Sequence, residues 1–143
     1  MKEMDYPDFT LAGQVAFITG ASKGIGFGVA RALAHAGARV AVAARSSSDL
    51  EMLVEEIRAE GGDAQAFPLD VSDLAQVKSC FRAVQEFFGR LDILVANAGI
   101  SMHARFDTIE DFSTFERLFR VNAMGTIWCV RYAYPWLKAS KGI

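Results

Sequence analysis

The sequence predicts an α/β fold built on a doubly wound parallel sheet, incomplete, with about four strands present. Three observations carry this. Short apolar runs alternate strictly with helical patterns along the 143 residues. The runs VAFIT (15–19), VAVAA (40–44) and ILVA (93–96) lack polar alternation, as strands buried on both faces do. The first run leads into a turn carrying Gly20, Gly24 and Gly26, which opens a helix. Repeated β-α units of this kind place helices on both sides of one sheet.

Composition narrows the function classes. The chain is 52% hydrophobic and 22% charged, with net charge −2, which suits a soluble globular domain with an ordinary core. Lys and Arg are scattered, so nothing points to nucleic acid. No apolar run approaches the roughly 20 residues of a membrane span. The opening MKEMDYPDFTLAGQ carries acids where a secretory leader needs a basic region and an apolar stretch. Cys80 and Cys129 lie in apolar helical patterns, as reduced core thiols of a cytoplasmic protein do. His35 falls in a helix and His103 in a loop, leaving no pair for a metal.

Taken in order, residues 1–13 read as an N-terminal extension and 14–143 as a single domain. After the strand at 15–19 and the first helix comes the strand at 40–44. Leu50, Leu53, Val54 and Ile57 then follow helical spacing behind a capping box of Ser48 and Glu51. AQAFPL (64–69) is a weaker strand whose Pro68 suits the end of an edge strand. Val77, Cys80, Phe81, Val84 and Phe88 repeat the helical pattern behind Ser72, and 93–96 is the fourth strand. In the last helix, Phe115, Phe119, Asn122, Thr126 and Val130 form one face, and Trp128, Tyr132 and Trp136 a second aromatic stripe. Apolar residues on two faces call for burial on two faces, so the stripe is expected to meet a partner.

Glycines are needed where a backbone turns tightly and where phosphate oxygens approach main-chain N–H groups, and a helix N-terminus favours such an anion. The spacing here is T-G-x-x-x-G-x-G, Thr19 through Gly26, with Val29 where a third fingerprint glycine would stand.

TGASKGIG, LDVSD, ANAGI and VNAMGT, in this order and spacing, resemble the short-chain dehydrogenase/reductase family, whose domain is of Rossmann type. The resemblance runs from about Gln14 to Ile143; one departure is Ala96-Asn97, where the family often has two asparagines. It implies an oxidoreductase moving hydride between a nicotinamide and a small carbonyl or alcohol substrate. It also implies roles. Gly20, Ser22, Lys23, Gly24, Ile25 and Gly26 would wrap the pyrophosphate and adenosine ribose, and Asp70 and Val71 would meet adenine. Asn97, Ala98 and Gly99 would support the strand end beside the ribose, and Asn122 would help hold the catalytic lysine through water. Plainer roles stand beside these: a helix cap for Asp70, turn residues in Asn97 and Gly99, a satisfied core amide in Asn122.

NAD sites commonly carry an acid about 20 positions beyond the glycines, which accepts the ribose hydroxyls. Here that neighbourhood is Ala44-Arg45-Ser46, with no acid before Asp49. An acid repels a 2′-phosphate, whereas Arg45 offers it paired donors, and Lys23 adds a second cation. NADP(H) is therefore expected over NAD(H).

The family's chemistry also implies a serine and a Tyr-x-x-x-Lys pair on a later strand and helix. Tyr134 and Lys138 have that spacing, but they share the helix of Asn122 and flank Pro135. The chain stops at KASKGI, where the fifth strand would begin. It is expected to be an amino-terminal fragment, truncated before the catalytic Ser/Tyr/Lys region and inactive alone. The alternative is a dinucleotide-binding module without turnover, such as a truncated isoform or redox sensor. The complete protein is expected to be a homo-oligomer joined through the helix of Trp128, Tyr132 and Trp136.

Overall fold

A computed structural model describes residues 9–103 and 105–143. Four parallel strands, β1 (Val15–Thr19), β2 (Arg39–Ala44), β3 (Asp63–Pro68) and β4 (Ile93–Val95), lie in the order β3-β2-β1-β4. The register sets Val15 beside Arg39, Ala16 beside Ile93 and Ala44 beside Pro68. β3 is an edge strand, as Pro68 implied. Its carbonyls are partly met by side chains: Arg58 Nη2 donates to Ala64 O at 2.8 Å.

Strand side chains alternate between faces, and each face has its own core. Ala16, Ile18, Val40 and Val42 pack under α1 (Gly24–His35) and α2 (Ser47–Ala59), against Ala30, Leu50, Leu53 and Ile57. Val15, Phe17 and Ala41 face the other way, towards Phe81 and Val84 of α3 (Leu74–Phe88) and Cys129 and Ala133 of α5 (Thr126–Ser140). Phe17 and Phe81 meet edge to face at 4.9 Å between ring centres. Cys80 and Cys129 are free thiols buried together in this second cluster.

Of the N-terminal extension, residues 1–8 lie outside the described part. Leu11 already belongs to the domain, since its N–H donates to Ala36 O at 2.7 Å and its side chain packs on the α1–α2 core. At the other end, Ile143 pairs with the outer side of β4, donating to Asp92 O at 2.7 Å and accepting from Leu94 N–H at 2.8 Å. Ser140 ends α5, its Oγ donating to Leu91 O at 2.6 Å. No helix among the described residues is long and apolar enough to cross a membrane.

Three expectations are corrected. The α2 cap is Ser46, whose Oγ accepts from Asp49 N–H, so Ser48 lies within the helix. The α3 cap is Asp73, accepting from Ala75 and Gln76, while Ser72 turns back to Asp70. In both cases the cap is the last residue still extended, which side-chain chemistry alone does not reveal. The third concerns the last helix. It is α4 (Ser113–Phe119), a π-helical turn over Arg120–Gly125, and then α5. It docks through Val121, Gly125, Cys129 and Ala133, four residues apart. Trp128, Tyr132 and Trp136 flank that seam, half-buried against the core, so this stripe is not the uncovered one. Small residues permit close approach, and the large rings splay beside them. The outward face carries Ile127, Val130 and Tyr134, and α5 runs unbroken through Pro135.

Candidate functional site

The carboxyl ends of all four strands open on one cavity of about 590 Å³. It lies where the chain passes from one face of the sheet to the other, the usual ligand crevice of an open α/β sheet. One half of it is made by backbone. Gly20 has φ +66°, and a Cβ there would come within 2.8 Å of Ala98 Cα. At Gly26 a Cβ would lie 2.4 Å from Gly20 O and 2.5 Å from Asn97 Nδ2. Gly24 has open space around it, and its φ of +61° is what requires glycine.

Asn97 fastens this turn to the end of β4. Its Nδ2 donates to Thr19 O at 3.0 Å and Gly20 O at 3.2 Å. Thr19, buried at 2% exposure, returns the contact: its Oγ1 accepts from the N–H groups of Asn97 and Ala98, both at 3.1 Å. The cap of α1, Lys23, makes no side-chain hydrogen bond to the first turn. The first turn of α1 has no side chain bonded to its amides, and Lys23 and Ile25 beside it line the cavity, an arrangement suited to an anion.

The other half is made by side chains. Arg45 and Ser46 follow β2, and Asp49 joins them from the first turn of α2. Asp70 follows β3. Burial acts to raise its carboxyl pKa, but hydrogen bonds from Ser72 Oγ (2.6 Å) and Ser72 N–H (2.9 Å) prevail. With the charges of Arg45 and Arg117 they hold the group below the ordinary carboxylate value. Asp70 also accepts nothing from α3, so its part is to shape the loop through Ser72 rather than to cap the helix.

Asn122 lies in the π-helical turn and lines no part of the cavity. Its Oδ1 accepts from Ile100 N–H and its Nδ2 donates to Ile100 O, both at 2.8 Å, which anchors the loop after β4. The side chain is thus held by the backbone of Ile100.

Most predicted cofactor residues meet at the cavity: Gly20, Ser22, Lys23, Ile25, Arg45, Ser46, Asp70, Val71, Asn97, Ala98 and Gly99. Gly24 and Gly26 do not line it and act through the shape of the turn. The sequence reading placed Ile100 at the pocket edge but missed Asp49, Leu69, Ser72, Arg117 and Val121 as lining residues. The usable signal for the last two was their spacing, since Arg117, Val121 and Gly125 are four apart and run into VNAMGT. No cluster of His, Cys, Asp or Glu among the described residues could hold a metal.

The short chain dehydrogenase family matches residues 14–143. The chain belongs to the short-chain dehydrogenase family. Among curated members, an uncharacterized oxidoreductase of Methylorubrum extorquens is 41% identical over 124 residues, 86% of this chain and 50% of that protein. A 3-oxoacyl-[acyl-carrier-protein] reductase of rhamnolipid biosynthesis from Pseudomonas aeruginosa is 37% identical, over 94% of this chain and 52% of that one. This short-chain dehydrogenase chain therefore spans about half the length of the curated relatives it matches. Among solved structures, a metagenomic short-chain oxidoreductase in complex with NADP superposes with TM-score 0.86 at 35% identity, covering 92% of this chain and 60% of that one. A Pseudomonas aeruginosa NADP active-site complex gives TM-score 0.87 at 37% identity, with coverage of 94% and 52%.

Proposed function

We propose that this chain holds the cofactor half of an NADP(H)-dependent oxidoreductase acting on a small carbonyl or alcohol compound. The chemistry such a cofactor supplies is hydride transfer to a carbonyl carbon or from an alcohol carbon. The fit to a dinucleotide rests on the glycine turn, which a Cβ at position 26 would push apart at Gly20 and Asn97, and on the N-terminus of α1, which no side chain caps. Gly20, Ser22 and Ile25 would hold the pyrophosphate, Asp70 and Val71 the adenine, and Asn97 to Gly99 the ribose side.

The observation that carries the choice of NADP(H) is Arg45 on the cavity lining, directly after β2 where an NAD site places an acid. Relatives solved with NADP support it. The test is titration of both cofactors at fixed salt. Arg45→Ala should lose a charge-assisted contact of about 1.5–3 kcal/mol, a ten- to hundredfold weakening for NADP(H). NAD(H) should be nearly unaffected. Equal weakening of both would reduce Arg45 to a loop arginine.

Tyr134 is exposed on α5, and neither it nor Lys138 lines the cavity. On this reading the pair is not the acid/base couple, and these 143 residues bind cofactor without turnover. Carbonyl reduction by the chain, abolished in Tyr134→Phe, would overturn that. A homo-oligomer built through α5 would use Ile127, Val130 and Tyr134, since the Trp128 stripe packs inward. The two unpaired thiols fit a reducing compartment such as the cytoplasm.

A further inference from the structure

The helical rod of α4, the π turn and α5 approaches the cavity because of one residue. A Cβ at Gly125 would lie 2.9 Å from Val71 Cγ2 and 3.0 Å from Val71 O, so only glycine lets the rod touch the loop after β3. One turn earlier, Val121 is buried and lines the cavity beside Leu69 and Val71. One turn earlier again stands Arg117, exposed and also on the lining. Among the described residues its guanidinium has no salt-bridge partner. It is nevertheless close enough to Asp70 for its charge to act on that carboxyl, as Arg45 does from β2. Two cations from separate parts of the chain therefore act on one acid, and Leu69, Val71 and Val121 line the same cavity.

We infer that Arg117 is a cofactor-binding residue whose guanidinium lies over the adenine ring at the mouth of the cavity. The inference rests on the dinucleotide reading given above. A planar purine whose edge is turned to Asp70 presents its faces to whatever lines the slot. A guanidinium without an acid partner, next to valine and leucine side chains, is suited to stack on such a face. Arg117 and Arg45 then divide the work. Arg45 reads the 2′-phosphate, and Arg117 grips a ring that NADP(H) and NAD(H) share.

Full-length protein carrying Arg117→Met, which keeps the apolar stem of the side chain and removes the guanidinium, separates the two roles. Both cofactors should bind about three- to thirtyfold more weakly, by the same factor, while Arg45→Ala penalises NADP(H) alone. Unchanged affinities overturn the inference, and so does a loss confined to NADP(H), which makes Arg117 a phosphate contact. Wild-type protein supplies a readout that needs no variant. Saturating NAD⁺ should shield Arg117 from modification by butanedione and leave Arg45 open, as read by peptide mass spectrometry. Equal modification of Arg117 with and without NAD⁺ overturns the inference. Wild type that takes up neither dinucleotide overturns the cofactor reading itself, a different result from binding that ignores Arg117.

Discussion

The two halves of the cavity are built on opposite plans. The half beside α1 is main chain, held by Thr19, Asn97 and three glycines whose missing side chains are its defining feature. The half beside α2 and α4 is side chain: Arg45, Asp49, Asp70 and Arg117 project from separate elements towards a shared volume. The first plan tolerates little change, because each atom is fixed by a neighbour that is itself fixed. The second can be retuned one residue at a time, and that is where preference between related ligands can be set without disturbing the fold.

The contrast breaks hardest at Gly26. Gly26→Ala puts a methyl against Gly20 O and Asn97 Nδ2, so the turn or Asn97 must move. Overpacking of this kind typically costs about 1–3 kcal/mol in stability, and calorimetry should show that loss. Both dinucleotides should lose affinity together, by up to about a hundredfold. Gly24→Ala is the matched control: its methyl meets open space and only the positive φ opposes it, so the cost should be nearer 1 kcal/mol.

Next in size is Thr19→Val, which keeps the shape and removes the acceptor. Asn97 N–H retains Val95 O at 2.9 Å, but Ala98 N–H loses the partner it has here. One stranded, partly buried donor costs about 1 kcal/mol, measurable by chemical denaturation, again with no cofactor preference.

On the side-chain half the effects should be smaller and selective. Asp49→Asn removes a negative charge from the rim that Arg45 occupies, and NADP(H) should bind about two- to fivefold more tightly with NAD(H) little changed. Tighter binding of both, or of NAD(H) alone, would detach Asp49 from the phosphate side.

The smallest effect is on pH. The Asp70 carboxyl is lowered in the folded chain, so the unfolded chain binds more protons around its pKa and stability rises with pH there. That contribution is present above the ordinary carboxylate value of about 4 and is lost as pH falls through the lower, folded one. Asp70→Asn should flatten the acid limb of stability below about pH 4 and leave neutral pH nearly unchanged. A limb that stays as steep would assign it to other carboxylates, Asp92 foremost, which is lowered through Arg90 and the Val15 N–H.

Legibility in the sequence followed the same division. The strands and the glycine turn could be read because buried parallel strands must be apolar throughout, and because a positive φ at Gly20 or Gly24 excludes most other residues. Those constraints are local. The closeness of Gly125 to Val71 was invisible because the two lie far apart in the chain. The aromatic stripe misled because ring size was weighed above the small residues, Cys129 and Ala133, that set the distance of approach. Arg117 escaped notice because an exposed arginine on a helix looks like any solvated face until the loop after β3 is placed beside it.

The paired thiols in the second core have a consequence for measurement. Burial pushes Cys80 up to about 12, with the neighbouring Cys129 adding to it, and burial pushes Cys129 up to about 11. At pH 8 both thiols stay protonated in the folded chain, so alkylation waits for opening. One sulfur rides on α3 and the other on α5, within the same cluster. Pulsed labelling thus becomes a clock for the lifting of α5 from α3, and site-resolved rates distinguish that event from global unfolding, since the α1–α2 side of the sheet keeps its amide protons only in the first.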